Sequence, residues 1–158
     1  MTRVLVSGIC GRMGSLAAEA VAARGDLALV AGVESPGHPA VGTSVRVGGS
    51  GAAVPVLGSV ADVDPSSFDV IVDFSAPAQA AASAAAARAA RKGLVVGTTG
   101  LSGPELDAVR AASASCPVVL APNASIGANV LFGLAAGLAR ALGPAFDVEI
   151  VESHHRAK

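Results

Sequence analysis

The chain has 158 residues, of which 52% are hydrophobic and 15% charged, and its net charge is −1. These values are typical of a globular domain with a real core and exclude a disordered chain. The near-neutral charge argues against nucleic-acid binding, and no apolar run reaches the length of a membrane span. Cys10 and Cys116 lie far apart in sequence, which indicates free thiols in a reducing compartment. We therefore expect a cytoplasmic protein with neither nucleic-acid nor membrane partners.

An apolar run at residues 3–7 leads into three glycines spaced three residues apart, Gly8, Gly11 and Gly14, and a helical pattern follows at once. A strand that enters a helix through a tight glycine turn is a typical binding site for a pyrophosphate. The spacing differs from the standard G-x-G-x-x-G, so an ordinary strand-to-helix turn remains the alternative at this point.

Helical spacing predicts a first helix over residues 13–24, and an almost unbroken apolar run predicts a parallel strand over 27–33. Glu34 follows that strand, where a dinucleotide-binding fold places the carboxylate that binds the adenosine ribose. A solvated loop glutamate is the alternative. Because no Arg or Lys follows Glu34 directly, the sequence favours NADH over NADPH, whose additional phosphate needs a cation. The alternative is that Arg12 or Arg46 folds in to supply that cation.

Residues 35–53 are rich in Gly, Pro and Ser and are predicted to form a surface loop. Further along, Ser75 is expected to cap a helix that has Pro77 in its first turn. A capping box at residues 102–105 opens another helix, and Gly143 ends the last one. The predicted strands are 54–57, 70–74, 94–97 and 118–121, the helices are 76–91, 103–115 and 128–142, and a helical turn lies near Ala61.

Strands that alternate with helices at this rhythm predict an α/β fold, a Rossmann-type doubly wound parallel sheet. Ligands of such sheets lie beyond the carboxyl ends of the strands. The unusual loops of the sequence all fall at these ends, and this agreement is stronger evidence than any single motif. They are the Gly8 turn, Glu34 and residues 74–75, 97–99 and 123–125.

A strand is predicted at residues 148–151, and it leads to His154, His155, Arg156 and Lys158. No cysteine or carboxylate stands among them at metal-ligand spacing, so no metal site is predicted. A cluster of cations suits a substrate that carries carboxylates, and both His and Lys can supply a proton. An exposed basic tail is the alternative interpretation.

Five separated stretches resemble the dihydrodipicolinate reductase (4-hydroxy-tetrahydrodipicolinate reductase) family of bacterial and plant lysine synthesis. They occur in the family's order and run through the whole chain. The stretches are GxxGRMG at 8–14, VDFSxP at 72–77, VGTTG at 96–100, APNxSxGxN at 121–129 and EIVExHHRxK at 149–158.

The resemblance implies reduction of a cyclic imine dicarboxylate, dihydrodipicolinate, to tetrahydrodipicolinate by NADH or NADPH in lysine and diaminopimelate biosynthesis. It makes His154 and Lys158 the proton donors, and His155 and Thr99 contacts of the substrate. Hydride transfer to carbon leaves negative charge on the conjugated nitrogen, which a nearby ammonium or imidazolium stabilises and protonates. The implied cofactor-binding residues are Gly8, Gly11, Arg12, Met13, Gly14, Glu34, Phe74, Gly97, Thr98, Thr99, Ala121, Pro122, Asn123 and Ala124.

Family members continue beyond the position of Lys158 into Asp-Ala-Pro-Ser-Gly-Thr and a second, mostly β domain that also builds a homotetramer. We therefore expect a dinucleotide-binding domain over residues 1–126 and only the start of a substrate-binding domain over 127–158. Such a segment is expected to bind cofactor with little or no turnover, and its assembly stays open. Two alternatives remain: another oxidoreductase on the same fold, such as an aspartate or semialdehyde dehydrogenase, and a cofactor-binding module that is not an enzyme.

Overall fold

The computed structural model describes residues 1–48, 52–151 and 153 of the chain. It divides into two compact units, the first comprising Met1–Pro122 and the second beginning at Asn123. The sequence-based boundary between residues 126 and 127 falls just inside the second unit.

The first unit is built on one sheet, which has seven strands among the described residues and the order β3-β4-β2-β1-β5-β6-β7. All neighbouring strands are parallel except β3 and β4. The order runs outward from β1 in both directions, which confirms the predicted Rossmann-type, doubly wound fold. The strands are β1 Thr2–Ser7, β2 Leu27–Val33, β3 Ser44–Val47, β4 Ala52–Leu57, β5 Val70–Asp73, β6 Gly93–Val96 and β7 Val118–Leu120.

Helices cover both faces of this sheet, as the apolar runs of its central strands require. Successive residues of a strand point to opposite faces, and in β1 this separates Leu5 from Val4 and Val6. Leu5 packs in the same cluster as buried residues of α2 and α3, whereas Val4 and Val6 pack with those of α1. The helices of this unit are α1 Arg12–Ala22, α2 Pro77–Ala90 and α3 Gly103–Ser113, and a 3-10 turn spans Val60–Asp62.

The predicted surface loop at residues 35–53 is wrong in part, because it contains strand β3. This strand pairs antiparallel with β4, with Val45 opposite Val54 and Val47 opposite Ala52. Val47 is buried, whereas Arg46 is exposed on the other face. The alternation of apolar and polar residues extends over only three residues, and the surrounding stretch is rich in glycine and serine. Composition therefore indicated a loop and not a strand.

The second unit contains helix α4, Ile126–Leu142. The Ser125 hydroxyl accepts a hydrogen bond from the Ala128 backbone N–H at its start, and Gly143 follows its last residue. The predicted strand at residues 148–151 is wrong, because these residues are in no regular structure and are exposed. A strand is stable only when it pairs with another, and the described residues offer this segment no pairing partner. Within the described part of the chain, no helix has both the length and the apolar character needed to cross a membrane.

Candidate functional site

The glycine turn after β1 is closed so tightly that two of its positions exclude a side chain. Gly8 has φ +77°, and a Cβ there would lie 2.5 Å from the Phe74 carbonyl oxygen. A Cβ on Gly14 would overlap the carbonyl oxygen of Gly8. The Gly11 N–H donates to that same oxygen at 3.0 Å, and α1 begins at the next residue. The turn therefore brings the backbone N–H groups of a helix N-terminus to the carboxyl edge of the sheet.

The Glu34 carboxylate is fixed against this turn. Glu34 follows β2, and only 9% of the residue is exposed. Its Oε1 accepts a hydrogen bond from the Cys10 backbone N–H at 2.7 Å, and its Oε2 accepts a longer one from the Ser35 N–H at 3.4 Å. A carboxylate oxygen has more than one acceptor site, so both oxygens retain capacity for a ligand hydroxyl.

A cavity of about 330 Å³ opens where the turn, Glu34 and the loop after β5 meet. This volume lies at the lower end of the range of small-molecule sites, about 300–1,000 Å³. It brings together four residues that the sequence predicted as cofactor contacts, Gly8, Gly11, Glu34 and Phe74. The other lining residues are Cys10, Ser35, His38, Ser75, Ala76 and Gln79.

Six of the ten lining residues were not predicted as cofactor contacts, and His38 and Gln79 are among them. The Gln79 amide donates to the Ser7 hydroxyl at 3.1 Å, which ties α2 to the end of β1. His38 accepts the Ala40 N–H at its Nδ1, at 3.2 Å, so its neutral form carries the ring proton on Nε2. No sequence signal indicated either residue, because they are far apart in the chain and only the fold brings them to one cavity.

Cys10 lines the cavity but does not have the environment of a nucleophile. Burial, and then the nearby Glu34 carboxylate, raise the pKa of its thiol. The reactive form of cysteine is the thiolate, so a raised pKa keeps Cys10 unreactive near neutral pH. Cys10 is exposed, however, so it is not the small packing residue that its neighbours in the sequence suggest.

The loop after β6 contributes Gly97, Thr98 and Thr99. Gly97 lies under the Phe74 ring, where a Cβ would overlap the ring atoms. Thr98 is almost fully buried, and its hydroxyl donates to Asp73 Oδ1 at 2.6 Å. Thr99 is exposed. The ring contact and the hydrogen bond hold this loop against the loop after β5.

Ser75 does not cap α2, contrary to the sequence prediction. The N-cap residue is Ala76, which offers no side-chain bond to the helix. The Ser75 hydroxyl instead donates to Asp73 Oδ1 at 2.7 Å. Asp73 is a residue that the site prediction omitted, because its partner Thr98 is 25 positions away in sequence and only the parallel pairing of β5 with β6 brings them together.

The remaining predicted site residues lie elsewhere. Arg12 and Met13 are exposed at the start of α1, and Ala121 and Pro122 follow β7 at the end of the first unit. Asn123 and Ala124 belong to the second unit, where the Asn123 side chain accepts the Ser125 N–H at 2.9 Å. The predicted catalytic and substrate residues His154, His155 and Lys158 lie outside the described residues. The described ranges contain no group of three His, Cys, Asp or Glu side chains that could hold a metal ion.

Comparisons with known proteins agree on one family. The family model described as "Dihydrodipicolinate reductase, N-terminus" matches residues 2–124. A 4-hydroxy-tetrahydrodipicolinate reductase of Myxococcus xanthus is 42% identical over 168 residues, which cover 100% of this chain and 59% of that protein. The enzyme of that name from Syntrophobacter fumaroxidans is 38% identical over 160 residues, which cover 100% of this chain and 60% of that protein. The chain thus spans about 60% of the length of these relatives.

A solved structure gives the same result. The dipicolinate-bound dihydrodipicolinate reductase from Paenisporosarcina sp. TG-14 matches with a TM-score of 0.67 and 25% sequence identity. The match covers 86% of this chain and 52% of that one. The region that the family model describes is a nucleotide-binding domain of the Rossmann type, which fits the glycine turn and the cavity beside it.

Proposed function

This chain belongs to the dihydrodipicolinate reductase family, and from that premise we propose that its first unit binds NADH at the carboxyl edge of the sheet. The reaction served is the NADH-dependent reduction of dihydrodipicolinate to tetrahydrodipicolinate in lysine and diaminopimelate biosynthesis. One observation carries the proposal: the glycine turn, the buried Glu34 carboxylate and Phe74 line a single cavity.

The residues of this cavity fit a dinucleotide. The backbone N–H groups at the start of α1 supply donors for a pyrophosphate. The glycines of the turn have no side chains, so the phosphates can approach the backbone closely. Glu34 supplies acceptors for the ribose hydroxyls, and its contact with the Cys10 N–H keeps its carboxylate in place. Arg12, Met13 and Gly14 complete the adenosine-side contacts that we propose. At the nicotinamide end, the proposed contacts within the first unit are Phe74, Gly97, Thr98, Thr99, Ala121 and Pro122. The family resemblance alone adds Asn123 and Ala124.

The choice of NADH over NADPH follows from charge. The extra phosphate of NADPH would meet the Glu34 carboxylate, and like charges at short range repel. The residue after Glu34 is Ser35, which lines the cavity and has no charge to offset that repulsion.

The reduction needs a hydride and a proton. NADH supplies the hydride when it is bound. We assign the proton to His154 and Lys158, and contact with the substrate carboxylates to His155 and Thr99. An ammonium or imidazolium at that position stabilises the negative charge that the hydride leaves on the ring nitrogen, and then protonates it.

A titration with NADH tests the proposal on the chain as it is. We expect saturable binding that tightens when dipicolinate is present, because a dicarboxylate that contacts the bound cofactor stabilises the complex, and NADH then raises the affinity for dipicolinate by the same factor. Binding without this coupling would contradict the substrate assignment and leave a cofactor-binding module. Failure to bind NADH at all would contradict the cofactor site.

The substitution Ser35→Arg tests the placing of Glu34 and Ser35 at the ribose. An arginine beside Glu34 pairs with a phosphate, so the ratio of NADPH to NADH affinity should rise by about tenfold, the effect of one charge-assisted hydrogen bond. Ser115→Arg adds the same charge at an exposed site between α3 and β7 and should leave that ratio unchanged. Equal ratios in both variants would show that Ser35 is not at the ribose.

For the complete protein we further propose a homotetramer in the cytoplasm, acting on a small dicarboxylate. The support is family membership and the two relatives named above, both 4-hydroxy-tetrahydrodipicolinate reductases. Light scattering on a chromatographed sample of the complete protein measures its mass in solution and so tests the assembly. A monomeric mass at all concentrations would contradict it.

A further inference from the structure

A fully buried carboxylate lies at the base of the two loops to which the proposed function assigns the nicotinamide end. Asp73 is the last residue of β5 and has no exposed surface. Its Oδ1 accepts hydrogen bonds from the Thr98 hydroxyl at 2.6 Å, from the Ser75 hydroxyl at 2.7 Å and from the Ser75 N–H at 3.2 Å. Its Oδ2 accepts one from the Ser83 hydroxyl of α2 at 2.6 Å.

The Thr98 hydroxyl links the two loops directly. It accepts the Ser75 backbone N–H at 2.8 Å. Because an N–H can only donate, the hydroxyl hydrogen of Thr98 remains available to Asp73. Ser75 follows β5 and Thr98 follows β6, so one carboxylate and one hydroxyl set the spacing of both loops.

Packing at the end of β5 does not by itself require a buried carboxylate. Burial of a carboxylate is unfavourable unless hydrogen bonds compensate it, and Val or Ile would close the end of a strand without that cost. A buried polar network whose members are all satisfied fixes one geometry of the groups that it joins. Here, it joins the two loops that carry Phe74 and Thr99.

We propose that Asp73 is a positioning residue for cofactor binding: through Ser75 and Thr98 it holds the loops after β5 and β6 at the spacing that the nicotinamide half of NADH requires. This inference rests on the proposed function, because it presupposes an NADH site at this edge. Asp73 has no exposed surface and acts only through its neighbours.

The test compares NADH with ADP, which contains the adenosine and both phosphates but lacks the nicotinamide half. In Asp73→Ala, the affinity for NADH should fall by about tenfold, the effect of losing one positioned hydrogen bond, while the affinity for ADP should change by less than about twofold. A purely structural role would lower the melting temperature and leave the ratio of the two affinities unchanged.

Asp73→Asn should restore NADH binding to within about threefold of the wild type, because three of the four donors converge on Oδ1. An amide oxygen can occupy that position. The amide nitrogen then lies at Oδ2 and faces a single hydroxyl, that of Ser83, which can rotate to accept.

Asp69→Ala is the matched control, because Asp69 directly precedes the same strand at its opposite end. It should lower stability without changing either affinity. If Asp73→Ala does not fold, Thr98→Val and Thr98→Ser make the same comparison: the valine removes the linking hydroxyl and the serine retains it.

Three results would overturn the inference. The first is equal loss of NADH and ADP affinity in Asp73→Ala or in Thr98→Val, and the second is undiminished NADH affinity in either. The third is a loss in Thr98→Ser as large as in Thr98→Val. A wild-type chain that binds neither ligand would instead overturn the proposed function, and the inference with it.

Discussion

The two ends of strand β5 each carry an aspartate, and the two carboxylates are held in opposite ways. Before the strand, Asp69 accepts hydrogen bonds from the Arg3 side chain at 2.7 and 3.0 Å, and Lys92 lies 3.5 Å away. The side chain of Asp69 is 36% exposed. At the other end, Asp73 is fully buried and its donors are three neutral hydroxyls and one backbone N–H.

This difference shows where the sheet can tolerate change. A half-exposed ion pair is screened by water and salt, so its loss costs little. When one member of a buried network is removed, its partners stay buried without a hydrogen bond, and the protein loses stability by their full desolvation penalty. Substitutions at the carboxyl edge, which holds the cavity, should therefore lower stability more than those at the amino edge. The amino edge serves mainly to tie strands together.

Substitution of glycines should give the largest contrast between the edges. Gly14→Ala places a Cβ against the Gly8 carbonyl oxygen, a backbone atom that cannot move away cheaply. We expect a loss of about 3 kcal/mol or more, at the upper end of overpacking effects. Gly25→Ala, before β2 at the amino edge, meets no atom within 4 Å and should change stability by less than about 1 kcal/mol. Urea unfolding of both variants measures this, and similar losses would contradict the contrast.

Two serines that donate to aspartates give a second, closely matched contrast. The Ser83 hydroxyl donates to Asp73 at 2.6 Å in the interior, and the Ser66 hydroxyl donates to Asp64 at 2.7 Å on the surface. Ser83→Ala should cost about 2 kcal/mol, the value for a buried bond to a charged group. Ser66→Ala should cost less than about 0.5 kcal/mol, as for most surface substitutions. Calorimetric or urea unfolding of both variants decides. If Ser66→Ala were the more damaging, burial would not be the controlling factor.

The sequence predicted what depends on neighbours along the chain and missed what depends on the sheet. The predicted bounds of β2 were confirmed, since a continuous apolar run defines them. The predicted capping box of α3 was confirmed as well, since its two residues are only three positions apart. The hydrogen-bond network of Asp73 could not be predicted, since its partners lie after β5, after β6 and within α2. The strand at residues 148–151 was wrong for the converse reason: local preference for extended structure does not supply a pairing partner.

Acid should remove the stabilisation at the amino edge, and this is the smallest of the three effects. The hydrogen bonds of the Arg3 guanidinium hold the pKa of Asp69 well below its usual range. The native state therefore binds the proton less tightly than the unfolded chain, whose aspartates have a pKa of about 3.9. The stabilisation is complete above that value and is lost as the pH falls through the lower native value.

Asp69→Asn removes this carboxylate and makes the loss measurable. The difference in urea midpoint between the wild type and Asp69→Asn should be constant near neutral pH and should shrink below about pH 4. Added salt at neutral pH should reduce it too, because both partners are more than one-third exposed. A difference that persisted unchanged into strong acid would show that the Asp69 carboxylate does not stabilise through its charge. The amino edge would then resemble the buried edge more closely than its geometry indicates.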